Sequence, residues 1–102
     1  MTSFFLVVWF GSPHSPYSGY DEDIAPFRHL GQQIAARFAE IAALDRAMGT
    51  LRTELEKMGV RDNTLLWFNS DNGVTTQEIP KDQLQHLDNG GLRGHKSQMY
   101  EG

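Results

Sequence analysis

Apolar positions are arranged along this chain in two different ways. Residues 4–10 form an unbroken run, FFLVVWF, rich in β-branched and aromatic side chains and closed by Gly11 and Pro13, the pattern of a buried strand entering a loop. Residues 65–68, Leu-Leu-Trp-Phe, form a second short run with no polar alternation, which suits a strand covered on both faces in a helix-flanked parallel sheet. Between them, over residues 32–58, Ile34, Phe38, Ile41, Leu44, Met48, Leu51, Leu55 and Met58 recur at steps of three and four. That spacing draws one apolar stripe along a helix of about seven turns. Gly59 offers a terminating position that tolerates positive φ, and Lys57 suits the negative end of the helix dipole. Arg37, Glu40, Asp45, Arg46, Arg52, Glu54 and Glu56 fall mostly off the stripe and read as the solvated face.

Strand, helix, strand predicts a right-handed parallel β-α-β crossover, hence an α/β fold class with both strand carboxyl ends at one edge of the sheet. The remaining stretches are read as loops. Residues 11–31 contain three prolines, three glycines and the acids Asp21, Glu22 and Asp23. Three consecutive acids do not match the spaced ligands of a calcium loop and are read as a solvated bend. Residues 74–89 lose apolar periodicity and read as a long exposed excursion.

Composition narrows the partners. At 102 residues the chain is one domain at most, and its net charge of −4 leaves no basic footprint for nucleic acid. There is no cysteine, which excludes disulfides, thiolate metal sites and a cysteine-derived nucleophile within these residues. The run at 4–10 lacks a basic flank and a small-residue cleavage site and is far shorter than the ~20 residues that span a bilayer, so neither a signal peptide nor a membrane segment is expected.

Three places carry candidate chemistry, each with two readings. Asp71 and Asn72 lie at the carboxyl end of the second expected strand, where ligands bind in open α/β sheets; Asn-Gly is equally a plain turn signal. His14, restricted by Pro13 and Pro16, follows the first expected strand, so topology alone predicts its convergence with Asp71 and Asn72; it is otherwise a surface histidine. In GGLRGHKSQMYEG, three glycines within five residues let the backbone approach a ligand and bring Arg93, His95 and Lys96 to it. Lys96 is a point-charge partner for sulfate or phosphate, or else a solvated cation on a flexible loop. Walker A spacing is absent.

These pieces together resemble the middle section of a type I sulfatase, the formylglycine-dependent arylsulfatase family of the alkaline-phosphatase-like superfamily. The resemblance rests on P-H-x-P at 13–16, A-x-x-x-x-L-D-R-A-x-G-x-L at 39–51, D-N-T-L-x-x-F-x-S-D-N-G at 62–73 and G-L-R-G-x-K-x-x-x-Y-E-G at 91–102. It implies a partial alkaline-phosphatase-like core, a parallel β-α-β unit with long site-bearing loops. It implies that Asp71 and Asn72 are ligands of an active-site calcium, or in some members magnesium. It further implies that Lys96 and His14 bind the substrate sulfate and take part in catalysis, His14 supporting proton transfer to the leaving group. Arg93 and His95 receive no role. The implied substrate is a sulfate ester, a small molecule or a sulfated glycan, and family members are secreted, periplasmic or lysosomal.

The departures from the family pattern are specific. No Cys/Ser-x-Pro-x-Arg run that would become formylglycine is present, nor the paired aspartates that complete the metal site. Residues 1–102 are therefore expected to be a fragment of the catalytic domain, with the formylglycine in a missing N-terminal segment and a C-terminal part also missing, and to be inactive alone. Two other classes stay open: a phosphoryl-transfer relative of the same superfamily, and a non-catalytic degenerate homologue. The nucleophile segment discriminates among them.

Overall fold

The computed structural model describes residues 3–87 and 89–102. Its organising element is a 26-residue helix, Gln32–Lys57, which ends one residue short of the span its periodicity predicts. The stop is a two-bond cap: Gly59, at φ +68°, donates to the Glu56 carbonyl (2.9 Å) and Val60 donates to the Leu55 carbonyl (3.1 Å). Both otherwise orphaned carbonyls are thus satisfied. Before this helix the chain makes a four-residue helix, Asp21–Ile24, and a 3-10 segment, Ala25–Leu30. We call the two α-helices α1 (Asp21–Ile24) and α2 (Gln32–Lys57). Further 3-10 segments span Arg61–Asn63 and Lys81–His86.

The core is concentrated on the first turns of α2. Ile34, Ala35, Ala36 and Ala39 are buried there, as are Arg37 and Glu40, and elsewhere only Leu55 and Ile79 are buried among the described residues. Alanines make this possible, because a helix with short side chains lets neighbouring backbone come close. A Cβ on Gly19 would lie 2.7 Å from the Cβ of Ala39, so the chain leading into α1 runs in direct contact with α2. The ring of Phe27 meets Phe38 edge-on at 5.4 Å, fastening the 3-10 segment to the same helix. The expected apolar stripe is otherwise only half covered, and Ile41 and Met58 are exposed.

The expected α/β class, with its parallel β-α-β unit and partial alkaline-phosphatase-like core, is overturned: the described residues contain helices and no β-strand. A strand exists only where a second backbone takes its N–H and C=O groups, and among the described residues no such ladder joins residues 4–10 to residues 64–69. Their side chains lie open, with Phe5 and Trp9 each 92% exposed, Leu65 87% and Trp67 78%. The consequence is measurable in shape. The radius of gyration is 16.4 Å, against about 13 Å for a compact 100-residue domain. The accessible surface of 8220 Å² likewise exceeds the roughly 5,800 Å² expected for a folded monomer of this mass. Asp71 and Asn72 form a bend, and among the described residues no strand flanks it on either side.

Three further expectations change. The acids at 21–23 form the first turn of α1 in place of a bend, with Asp21 and Glu22 exposed as expected. The excursion at 74–89 is partly packed: Ile79 is buried, and Gln83 Oε1 accepts the Ile34 N–H (3.4 Å). This side chain supplies an acceptor at a helix start where Gly31 has none to give. Arg37 and Glu40, expected on the solvated face, are buried. Among the described residues no helix is long and apolar enough to cross a membrane.

Two outcomes follow from this packing. Gly19→Ala forces a methyl group against Ala39 and Ile24, and overpacking of this kind destabilises by about 1–3 kcal/mol; urea denaturation followed by circular dichroism reads it, and an unchanged midpoint would show that the 14–20 loop does not rest on α2. Asp23 receives both guanidinium nitrogens of Arg46 at 2.7 Å, and these hydrogen bonds hold its carboxyl below the ordinary value of 3.8. A depressed acid stabilises the fold above its unfolded value and loses that contribution as pH falls through the folded one. The packing of α1 on α2 should therefore weaken below pH 3.8, as an NMR titration of the Asp23 carboxyl carbon would follow, and Arg46→Gln should remove the depression.

Candidate functional site

His14 sits on the loop that precedes α1 and is exposed. Its backbone is not free: the His14 N–H donates to Glu40 Oε2 (3.2 Å) and the Ser18 N–H donates to Glu40 Oε1 (2.8 Å), so one carboxylate on α2 spans the loop. The imidazole Nδ1 lies 2.7 Å from the Ser15 carbonyl. A carbonyl only accepts, so Nδ1 carries the proton and Nε2 is the nitrogen left to meet a ligand. Tyr17, three residues on, lies under the Arg37 guanidinium at 5.8 Å, a cation–π distance.

Asp71 and Asn72 lie in the exposed bend after residues 65–68. The Asn72 amide nitrogen donates to the Gly73 carbonyl (2.8 Å), and Ser70 Oγ donates to the Asn72 carbonyl (2.7 Å). This leaves Asn72 Oδ1 and the Asp71 carboxylate without a hydrogen-bond partner among the described residues. Both are hard oxygen donors of the type calcium and magnesium take. Among the described residues no group of three or more His, Cys, Asp or Glu side chains could hold a metal, so these two donors could supply part of a coordination shell at most.

Lys96 is half-buried in a loop that is internally tied. The Asn89 amide nitrogen donates to the Leu92 and Gly94 carbonyls. Arg93 donates through its backbone N–H, Nε and Nη2 to the Glu101 carboxylate, and lies 5.3 Å from the Tyr100 ring. Hydrogen bonds from Arg93 hold the Glu101 carboxyl below its ordinary value. Ser97, next to Lys96, has φ +75°, a conformation uncommon outside glycine.

Two of the three loops meet. The Lys96 N–H donates to the Val74 carbonyl at 2.8 Å, three residues past Asp71, and the backbone of Gly102 presses on Gly73 where a Cβ would stand. His14 joins this region indirectly, through α2: Glu40 holds its loop, and Arg37, one turn earlier, donates to the Thr75 carbonyl (3.2 Å). No hydrogen bond or ion pair links the side chains of His14, Asp71 and Lys96 to one another among the described residues. A cavity of about 450 Å³ lies apart from Asp71 and Lys96, between Tyr17, Ile24, Arg28 and the start of α2.

Arg37 and Glu40 were not singled out by pattern, although a signal was present: both stand in a run of Ala35, Ala36 and Ala39, where close approach on several sides of the helix is possible.

Comparison with known proteins adds the family. The sulfatase family model matches residues 1–102. The chain is 31% identical over 106 aligned residues to the uncharacterized sulfatase YdeN of Escherichia coli, covering 97% of this chain and 17% of that protein. It is 28% identical over 103 residues to the steryl-sulfatase of Rattus norvegicus, covering 99% of this chain and again 17% of the relative. The chain thus spans about a sixth of the length of these curated relatives, and no solved structure matches it significantly. Matched by the family model along its entire length, the chain belongs to the sulfatase family.

Proposed function

We propose that these residues form part of the site of a sulfuric ester hydrolase, with Lys96 and His14 contacting the sulfate group and Asp71 and Asn72 contributing oxygen ligands to a metal ion. The observation that carries this reading is the hydrogen bond from the Lys96 N–H to the Val74 carbonyl (2.8 Å), which ties the lysine loop to the loop of the Asp-Asn pair. A cation for the oxyanion and two oxygen donors for a metal are thereby borne on adjoining backbone.

Each side chain has a definite task in this reading. The Lys96 ammonium compensates charge on the sulfate oxygens and on the ester oxygen as its bond to sulfur breaks. His14, with Nδ1–H held by the Ser15 carbonyl, has Nε2 available; when protonated it donates to a sulfate oxygen or passes the proton to the leaving oxygen. Asp71 and Asn72 would hold calcium or magnesium through one carboxylate and one amide oxygen. A metal ion bound there supplies further positive charge to the sulfate. The nucleophile in this reading is a formylglycine borne by chain outside these 102 residues, since its precursor run does not occur within them. The substrate is a sulfate ester, of a small molecule or a glycan.

In the intact protein, Lys96→Ala should lower kcat/KM for para-nitrophenyl sulfate by about 100-fold or more, the scale of losing one group that stabilises developing charge. Wild-type turnover of para-nitrophenyl phosphate in preference to the sulfate would overturn the reading. Calorimetric titration of calcium into the 102-residue chain alone should give a Kd of about 10⁻⁴ M or weaker, because calcium prefers six to eight oxygen ligands and the matched residues offer two. Micromolar affinity would mean that the chain carries a complete metal site.

A further inference from the structure

We infer that Glu40 is a positioning residue for His14: its buried carboxylate fixes the backbone of the 14–18 loop and so the place from which the imidazole meets a sulfate oxygen. The inference rests on the sulfate-binding role proposed for His14. It starts from an irregularity on α2. Arg37 and Glu40 are opposite charges three residues apart, each only 9% exposed, and that spacing lets a helical pair form an ion bridge. No such bridge exists among the described residues. Arg37 instead donates to the Thr75 carbonyl and faces the Tyr17 ring, and Glu40 takes the His14 and Ser18 N–H groups.

A buried carboxylate must be compensated, and here the compensation comes wholly from the loop that bears His14. Each oxygen takes one of two backbone N–H groups four residues apart, at 3.2 and 2.8 Å. The two bonds pin both ends of the His14–Ser18 stretch to a rigid helix. The bond from Nδ1–H to the Ser15 carbonyl then fixes the ring relative to that pinned backbone. Ring and loop are held by separate bonds, so the loop can be freed without altering the imidazole itself. A site residue on a loop is placed accurately only when such supporting contacts exist. Glu40 touches no reacting atom in this arrangement; its effect on chemistry passes through His14.

The test uses the intact protein with Glu40→Ala, Glu40→Gln, His14→Ala, the double variant Glu40→Ala/His14→Ala, and Glu54→Gln at the exposed far end of α2 as control. Two readouts are taken: hydrogen exchange of the His14 and Ser18 amides, and KM and kcat for para-nitrophenyl sulfate. Glu40→Ala should accelerate exchange at both amides by about tenfold or more, the factor that 1.4 kcal/mol represents. KM should rise by a similar factor, with a smaller change in kcat. Glu40→Gln keeps the side-chain shape and one oxygen, so it should free one of the two amides and keeps the test usable if the alanine variant does not fold. Because Glu40 acts through His14, adding Glu40→Ala to His14→Ala should produce no further loss of activity. Additive losses, or unchanged exchange at both amides, would overturn the inference. If the wild-type protein turns over no sulfate ester, the proposed function fails, and the exchange of the two amides still decides by itself whether Glu40 holds the loop.

Discussion

A charge withdrawn from water has to find its compensation inside the protein, and on α2 this requirement shapes what surrounds it. Arg37 and Glu40 are buried within one turn of each other and are satisfied by backbone groups of two separate loops. Breaking one side of such an arrangement leaves a buried charge or a buried amide unpaired, typically at about 1–3 kcal/mol or more. The loops at 14–18 and around Thr75 are thereby coupled to the same rigid element. Apolar burial, limited to Ile34, three alanines, Leu55 and Ile79 among the described residues, is too small to position them alone. Polar contacts therefore take a larger part in the architecture than they do in a domain with a full hydrophobic core.

The lysine loop is organised on another principle. Its bonds are local: Asn89 to Leu92 and Gly94, Arg93 to Glu101, and Gly102 N–H to the Arg93 carbonyl. The Arg93 and Glu101 side chains are 74% and 44% exposed, and an exposed ion pair contributes little to global stability. Its effect is on the conformation of the segment between the two residues, which includes Lys96. One long-range bond, Lys96 to Val74, then sets this self-supporting loop against the Asp71–Asn72 bend. The two halves of the candidate site are thus held differently, the histidine loop by a buried carboxylate and the lysine loop by its own closure.

Membership of the sulfatase family is carried by the full length of the chain, yet about a sixth of its relatives' length is what the chain spans. Phe5, Trp9, Leu65 and Trp67 are all largely open to solvent. An exposed aromatic surface of this extent is rare on a soluble monomer and favours association.

Local pattern determined α2 almost to the residue, because a 3.6-residue periodicity and a terminating glycine are properties of contiguous sequence. Sequence also singled out Pro13-His14, Asp71-Asn72 and Gly94-His95-Lys96 as motif-bearing stretches, and from them the family. Tertiary structure decided the rest. An apolar run such as FFLVVWF states that burial is favourable but does not supply a partner backbone, so the expected strands and their parallel sheet have no counterpart among the described residues. Convergence of the site loops was inferred from that sheet; the contacts observed run instead through Glu40, Arg37 and Val74. A charge on a helix surface is indistinguishable in sequence from one that faces a loop 22 to 38 residues away, because what buries it is the loop. The identity of Glu40 was written in the sequence, and its burial was decided by the loop that closes over it.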